Sequence, residues 1–225
     1  MRGGGAGAAA ARSAAAIPSS KLGSARHARL SEPERELYFW ILRRFATSGR
    51  PTGDETRAAA ERLGLEADPA LAMLAREDLV HRGSEGEIAV AYPFSGRPTA
   101  HRVRLPGGHE VDAMCAIDAL GIAPMFDQPI EIVSCDPLSG GEIAAQVEPT
   151  GEVRWTPQSA VVVSGAIAAG DDSCQGCCPV LNFFVSPVSA ERWLAEHSQV
   201  RGAVISIEEA AAAGRAVFGD VLMAN

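Results

Sequence analysis

Five cysteines in 225 residues, at 115, 135, 174, 177 and 178, set the first limit on what this chain folds into. The number is odd and three of the five crowd into positions 174–178, which is not the spacing of a secreted disulfide framework. Reduced thiols in a cytosol are expected instead. With 47% apolar and 21% charged residues the composition is that of an ordinary globular protein, long enough for one large domain or two small ones. A net charge of −8 argues against a protein held to nucleic acid by phosphate contacts and suits a small-molecule enzyme. No apolar run approaches the roughly 20 residues of a membrane span.

The thiols also suggest chemistry. Soft thiolates select soft metals. Cys115 precedes Asp118 by three residues in Met114-Cys115-Ala116-Ile117-Asp118, so on a helix the two share a face. An acid beside a thiol raises the thiol pKa, which makes Asp118 a poor activator through charge and a better proton acceptor and carrier. A bland alternative stands beside this, in which Asp118 caps or salt-bridges a helix and the cysteines are small buried hydrophobes. The second cluster, Cys174-Gln175-Gly176-Cys177-Cys178, contains a Cys-x-x-Cys pair. A structural zinc lacks a second knuckle and histidines at ligand spacing. A thioredoxin-like site lacks the expected preceding strand.

Residues 1–30 are rich in Gly, Ala, Ser and Arg with almost no large apolar side chain, and are expected to form a disordered tail. Ser31-Glu32-Pro33-Glu34 predicts a helix start. Further helices are expected from Thr52 to Leu63, ended by Gly64, and from about Asp68-Pro69, followed by a strand at Ile88–Ala91. Residues 31–96 thus look like a winged-helix-like helical module. Its third helix carries one Arg against two acids, a weak basis for DNA binding. A boundary is placed at Arg97-Pro98. Beyond it, at 97–225, strands are expected at His101–Leu105, Ile130–Cys135, Glu142–Val147, Val153–Trp155, Ala160–Val163, Val180–Phe184 and Ala203–Ile207. Helices are expected over Val111–Leu120, carrying Cys115 and Asp118, over Ser189–His197 with Ser189 as cap, and over Ser206–Phe218. The fold class is α+β: the winged-helix-like module, then a mixed-sheet catalytic domain with flanking helices.

Residues 110–220 resemble the organomercurial (alkylmercury) lyases. The stretches that carry the resemblance are Met114-Cys115-Ala116-Ile117-Asp118-Ala119-Leu120, Val133-Ser134-Cys135-Asp136-Pro137-Leu138-Ser139-Gly140 and Cys178-Pro179-Val180-Leu181-Asn182-Phe183-Phe184. Ala190 to His197 and Gly202 to Ala210 match as well, and residues 31–95 resemble the module that precedes the family's core. The resemblance implies cleavage of carbon–mercury bonds by protonolysis, for mercury detoxification. Cys115 and Cys178 would bind mercury as thiolates, and Asp118 would accept a thiol proton and pass it to the leaving carbanion. It implies no cofactor beyond excess low-molecular-weight thiol for product release, and a mercuric reductase or small thiols as Hg(II) acceptor. A cytoplasmic monomer is expected, with no nucleic-acid or membrane partner. Cys177 stays open as the second ligand, although counting back from Phe183-Phe184 favours Cys178. Cys174 is an extra thiol, and Cys135 is read as structural. Trp40 and Trp155 are candidates to line a hydrophobic pocket for the organic group or, as aromatics more often do, to pack as plain core. The competing reading is a thiol-based soft-metal sensor whose winged helix meets DNA.

Overall fold

The structure is a computed structural model, and it describes residues 23–167 and 176–222. A 3₁₀ helix at Gly23–His27 leads into α1 (Glu32–Ser48), α2 (Gly53–Arg62) and α3 (Ala67–Arg76). Strands β1 (Val80–Arg82), β2 (Ile88–Ala91), β3 (Phe94–Ser95), β4 (His101–Arg104) and β5 (Glu110–Ala113) follow, then α4 (Ala116–Phe126). The remainder is β6 (Ile130–Cys135), β7 (Glu142–Val147), β8 (Val153–Thr156), β9 (Val161–Ile167), β10 (Phe183–Phe184), α5 (Pro187–Glu196), β11 (Val200–Ile205) and α6 (Ile207–Phe218).

Eight strands pair antiparallel in the order β1-β2-β3-β5-β4-β6-β7-β8, and a second antiparallel sheet runs β10-β9-β11. The alternation in β6 and β7 is strict. Ile130, Ile132, Ile143, Ala145 and Val147 point into the core while their neighbours face solvent. Helix α4 is buried along nearly its whole length, lying on β4, β5 and β6 with α6 across its other side. That crossing depends on small residues. A Cβ at Gly214 would come 2.7 Å from the Ile117 carbonyl oxygen, so only glycine lets the two backbones approach this closely.

Helix starts follow the sequence. Ser31, Thr52 and Ser206 each accept a hydrogen bond from the backbone N–H three residues on, and Glu34, Glu55 and Glu209 bond back to the cap backbone. Four expectations are corrected. The tail read to residue 30 ends earlier among the described residues, because Gly23, Arg26, His27 and Leu30 are buried. A stripe search misses this burial, since it engages polar side chains rather than an apolar face; residues 1–22 lie outside the described residues. The helix expected over Val111–Leu120 is two elements. Val111 and Ala113 alternate inward and pair across β4 and β3, and the helix begins only after Cys115, whose backbone is extended. Of Val180–Phe184 only Phe183 and Phe184 form a strand, since residues 177–180 make a turn. The cap of α5 is Ser186, with Pro187 in the first turn, and Ser189 instead donates its hydroxyl to Asp136 at 2.6 Å.

The three helices and the strand at Ile88–Ala91 come in the expected order, and β1 (Val80–Arg82), which the sequence analysis did not anticipate, pairs antiparallel with that strand. The placed boundary at 96–97 falls between β3 and β4 of one continuous sheet. No helix among the described residues is long and apolar enough to cross a membrane.

Candidate active site

Cys115 occupies the N-cap of α4, with φ −158° and ψ 177°. Its sulfur accepts the Asp118 backbone N–H at 3.4 Å and donates to Asp118 Oδ2 at 3.1 Å. The turn before β10 brings the second thiol. The Cys177 carbonyl accepts the backbone N–H groups of Val180 and Leu181, and Ala116 N–H donates to the Leu181 carbonyl at 2.8 Å, fastening this turn to the start of α4. Cys178 Sγ then lies 3.7 Å from Asp118 Oδ2 and 4.0 Å from the Tyr92 hydroxyl. The two sulfurs and the carboxylate oxygen all lie within 4.8 Å of one another. Cys115, Asp118 and Cys178 are only 1%, 6% and 5% exposed, so this cluster sits in the core and away from water.

Burial sets the electrostatics. Loss of solvent pushes the Cys115 thiol up to about 12 and the Asp118 carboxyl up to about 6. Cys178 is raised well above the ordinary thiol range, first by its hydrogen bond with Cys115. The site therefore holds two neutral thiols beside a carboxyl poised near neutrality. Moving a proton from sulfur to Asp118 is uphill until a cation lands on the sulfur, which removes the thiol proton outright. The helix N-terminus supports the same outcome, because its partial positive charge favours an anionic sulfur at the cap. Two soft donors facing each other suit a soft cation of low coordination number.

Supporting contacts hold this geometry. Burial alone would raise Asp136. Its hydrogen bonds from Ser189 (2.6 Å) and from the backbone N–H groups of Val185, Ser139 and Leu138 hold it below the usual range instead. It thereby fastens the β6–β7 turn to the segment that follows β10. Asn182 Nδ2 donates to the Pro179 carbonyl at 2.9 Å, and buried His101 bonds Ser134 at 2.9 Å.

The structure thus brings together Cys115, Asp118 and Cys178. Cys177 is half-buried and hydrogen-bonds Cys178 from outside the trio. Cys135 is exposed at the end of β6 and is not part of the trio. Cys174 lies outside the described residues. Trp40 and Trp155 pack against the main core. The sequence reading missed Tyr92, Tyr38 and Arg26. Tyr38 donates its hydroxyl to the Tyr92 carbonyl at 3.0 Å, and Arg26 lies over the Tyr92 ring. None of the three carries a local motif, and they meet the site only through the fold.

An α+β scaffold that buries two thiols and a carboxyl at a helix cap defines a class of thiol enzymes for soft, metal-centred substrates. The family described as alkylmercury lyase matches residues 94–219, and the chain belongs to that family. It is 28% identical over 183 residues to an alkylmercury lyase of Staphylococcus epidermidis, covering 80% of this chain and 81% of that protein. It is 34% identical over 121 residues to an alkylmercury lyase of Bacillus cereus, covering 52% of this chain and about half, 53%, of that protein. A crystal structure described as the mercury-bound form of MerB2 shares the fold, with a TM-score of 0.71 at 21% identity over 88% of this chain and 95% of that one.

Proposed function

We propose that this protein cleaves the carbon–mercury bond of organomercurials by protonolysis. The observation that carries the reading is the reciprocal contact of Cys115 and Asp118 with the Cys178 thiol in reach of the same carboxylate oxygen. The substrate is RHgX, where X is a displaceable ligand such as a small thiolate. Cys115 sulfur takes the mercury in place of X, and its proton passes to Asp118. Cys178 sulfur bonds the mercury next, which weakens the bond to carbon. Carbon leaves as RH with the proton from Asp118, and the Cys178 proton returns to the carboxylate and leaves with X. Of the two thiol protons, one ends on the hydrocarbon and one on X, and Hg(II) remains between the two sulfurs. General acid help of this kind contributes about 10²–10⁴-fold. Holding both sulfurs and the acid in one rigid pocket adds the advantage of effective concentration.

Hg(II) then passes to small thiols or to a mercuric reductase, in a cytoplasmic detoxification that needs no cofactor besides excess thiol. The protein acts as a monomer. The test is a headspace assay with methylmercury or phenylmercury and excess small thiol. Methane or benzene from the wild type, and none from Asp118→Ala, is the expected result. Stoichiometric mercury binding with no hydrocarbon from the wild type would make the protein a thiol-based mercury binder instead.

A further inference from the structure

Exposure rises across three neighbouring thiols. Cys115 and Cys178 are 1% and 5% exposed, whereas Cys177, the residue just before Cys178, is half-buried at the margin of the main core. Cys177 stands outside the trio of Cys115, Asp118 and Cys178, and its thiol hydrogen-bonds that of Cys178. Backbone contacts hold this stretch. The Cys177 carbonyl accepts the Val180 N–H at 2.9 Å and the Leu181 N–H at 3.2 Å, and the Leu181 carbonyl accepts the Ala116 N–H at 2.8 Å. Consecutive Cα atoms are about 3.8 Å apart, so with the backbone held a mercury ion passes between sulfurs on adjacent residues by side-chain rotation alone. The reaction described above leaves Hg(II) between two buried sulfurs and gives Cys177 no part in the chemistry. A dissolved thiol reaches a half-buried sulfur more readily than either of those two.

Building on the proposed lyase reaction, we propose that Cys177 is the exit ligand for Hg(II): it takes the product from Cys178 and presents it to a small thiol. The Cys177 sulfur bonds mercury as the mercury–sulfur bond to Cys178 breaks, and the Cys177 proton passes to the Cys178 sulfur. A small thiol R′SH then bonds the mercury, the bond to Cys177 breaks, and the proton of that thiol goes to Cys177. A second R′SH frees Cys115 in the same way, leaving Hg(SR′)2 and three neutral thiols on the protein. Each step exchanges one mercury–sulfur bond and one S–H bond for another of each. Nothing is oxidised or reduced, and the soft cation keeps soft sulfur ligands throughout. As an intramolecular ligand Cys177 has the advantage of effective concentration over a dissolved thiol.

The test separates the first turnover from mercury release, in the full chain. Benzene from phenylmercury is sampled from the headspace after rapid quenching. Separately, protein loaded with one Hg(II) is mixed with glutathione and desalted, and the mercury left on the chain is measured over time. With glutathione near stoichiometric, Cys177→Ser is expected to lose Hg(II) about tenfold more slowly than the wild type, and steady-state kcat to fall with it, while the benzene of the first turnover stays within about twofold. A large excess of glutathione is expected to close the gap. Cys177→Ala is expected to match Cys177→Ser and makes the same comparison should the serine variant not fold. Cys135→Ser, which removes an exposed thiol outside the trio, is expected to release mercury at the wild-type rate. Wild-type mercury loss in a Cys177 variant, or equal slowing in Cys135→Ser, overturns the exit role. Loss of the first-turnover benzene in Cys177→Ser overturns it too, since Cys177 would then be a ligand of the reaction itself. A wild type that yields no benzene overturns the lyase reading, and mercury loss from the loaded protein is still measured, so the two failures are told apart.

Discussion

Among the described residues, four helices open with an acid three residues after a cap whose side chain accepts its N–H, and one of the four differs in kind. At Ser31, Thr52 and Ser206 a hydroxyl accepts a backbone N–H and a glutamate three residues on reaches back. At Cys115 a sulfur accepts the N–H of Asp118, whose carboxylate takes the S–H. Environment separates them. Glu55, in water, is held down to about 2, chiefly by the Thr52 backbone N–H, whereas burial lifts Asp118 to about 6. The exposed device only starts a helix. The buried one leaves a proton with a choice of two owners, which is what acid–base chemistry needs.

The largest break in that comparison is Cys115→Ser. Restoring the hydroxyl rebuilds the surface cap inside the core, and hydrocarbon release is expected to fall below detection in the headspace assay while the fold survives by circular dichroism. Asp118→Ala comes next, with an expected loss of about 10²–10⁴-fold in the same assay.

A third effect is thermodynamic. Burial lowers His101 to about 4, below its unfolded value of about 6.5, so the unfolded state binds more protons as pH falls from 6.5 to 4 and stability is lost. Asp118 is raised, so there the folded state binds more protons between roughly 6 and 4 and stability is gained. Each contribution is about 3 kcal/mol, and they oppose. His27, also lowered by burial, adds to the loss, so urea unfolding of the wild type is expected to show a smaller loss over that window than Asp118→Asn, which is expected to lose about 3 kcal/mol more on acidification. A flat profile in Asp118→Asn would show that the pair does not titrate in this way.

Smaller effects sharpen the contrast. Ser206→Ala is expected to cost about 1 kcal/mol in thermal unfolding with normal turnover per folded molecule, since that cap is structural only. Cys177→Ser is expected to leave first-turnover hydrocarbon release within about twofold, because in the proposed reaction Cys178, which lies with Cys115 and Asp118, supplies the second sulfur. Loss of the burst there would move the second ligand to Cys177.

Local signals were legible in the chain before any coordinates. Ser31-x-x-Glu34 gave a helix start, and alternation in Ile130–Cys135 gave a strand whose inner face is set by its apolar residues. The Cys115-x-x-Asp118 spacing, with Cys178 before Phe183-Phe184, singled out the three groups that meet. Val111–Ala113 read as helix because its apolar residues suit either period over so short a run. Pairing with β4 across the Gly107-Gly108 turn decided for strand.

Chain-local chemistry thus determined the caps, most strands, the thiols and the acid, since each depends on residues a few positions apart. Tertiary structure alone decided that Cys178, sixty residues on, lies 3.7 Å from Asp118, that all three groups are buried, and that the Tyr92 hydroxyl comes to 4.0 Å from Cys178. Burial and long-range contact are properties of the packed chain. They turn an ordinary helix cap into a site where sulfur, carboxyl and charge are coupled.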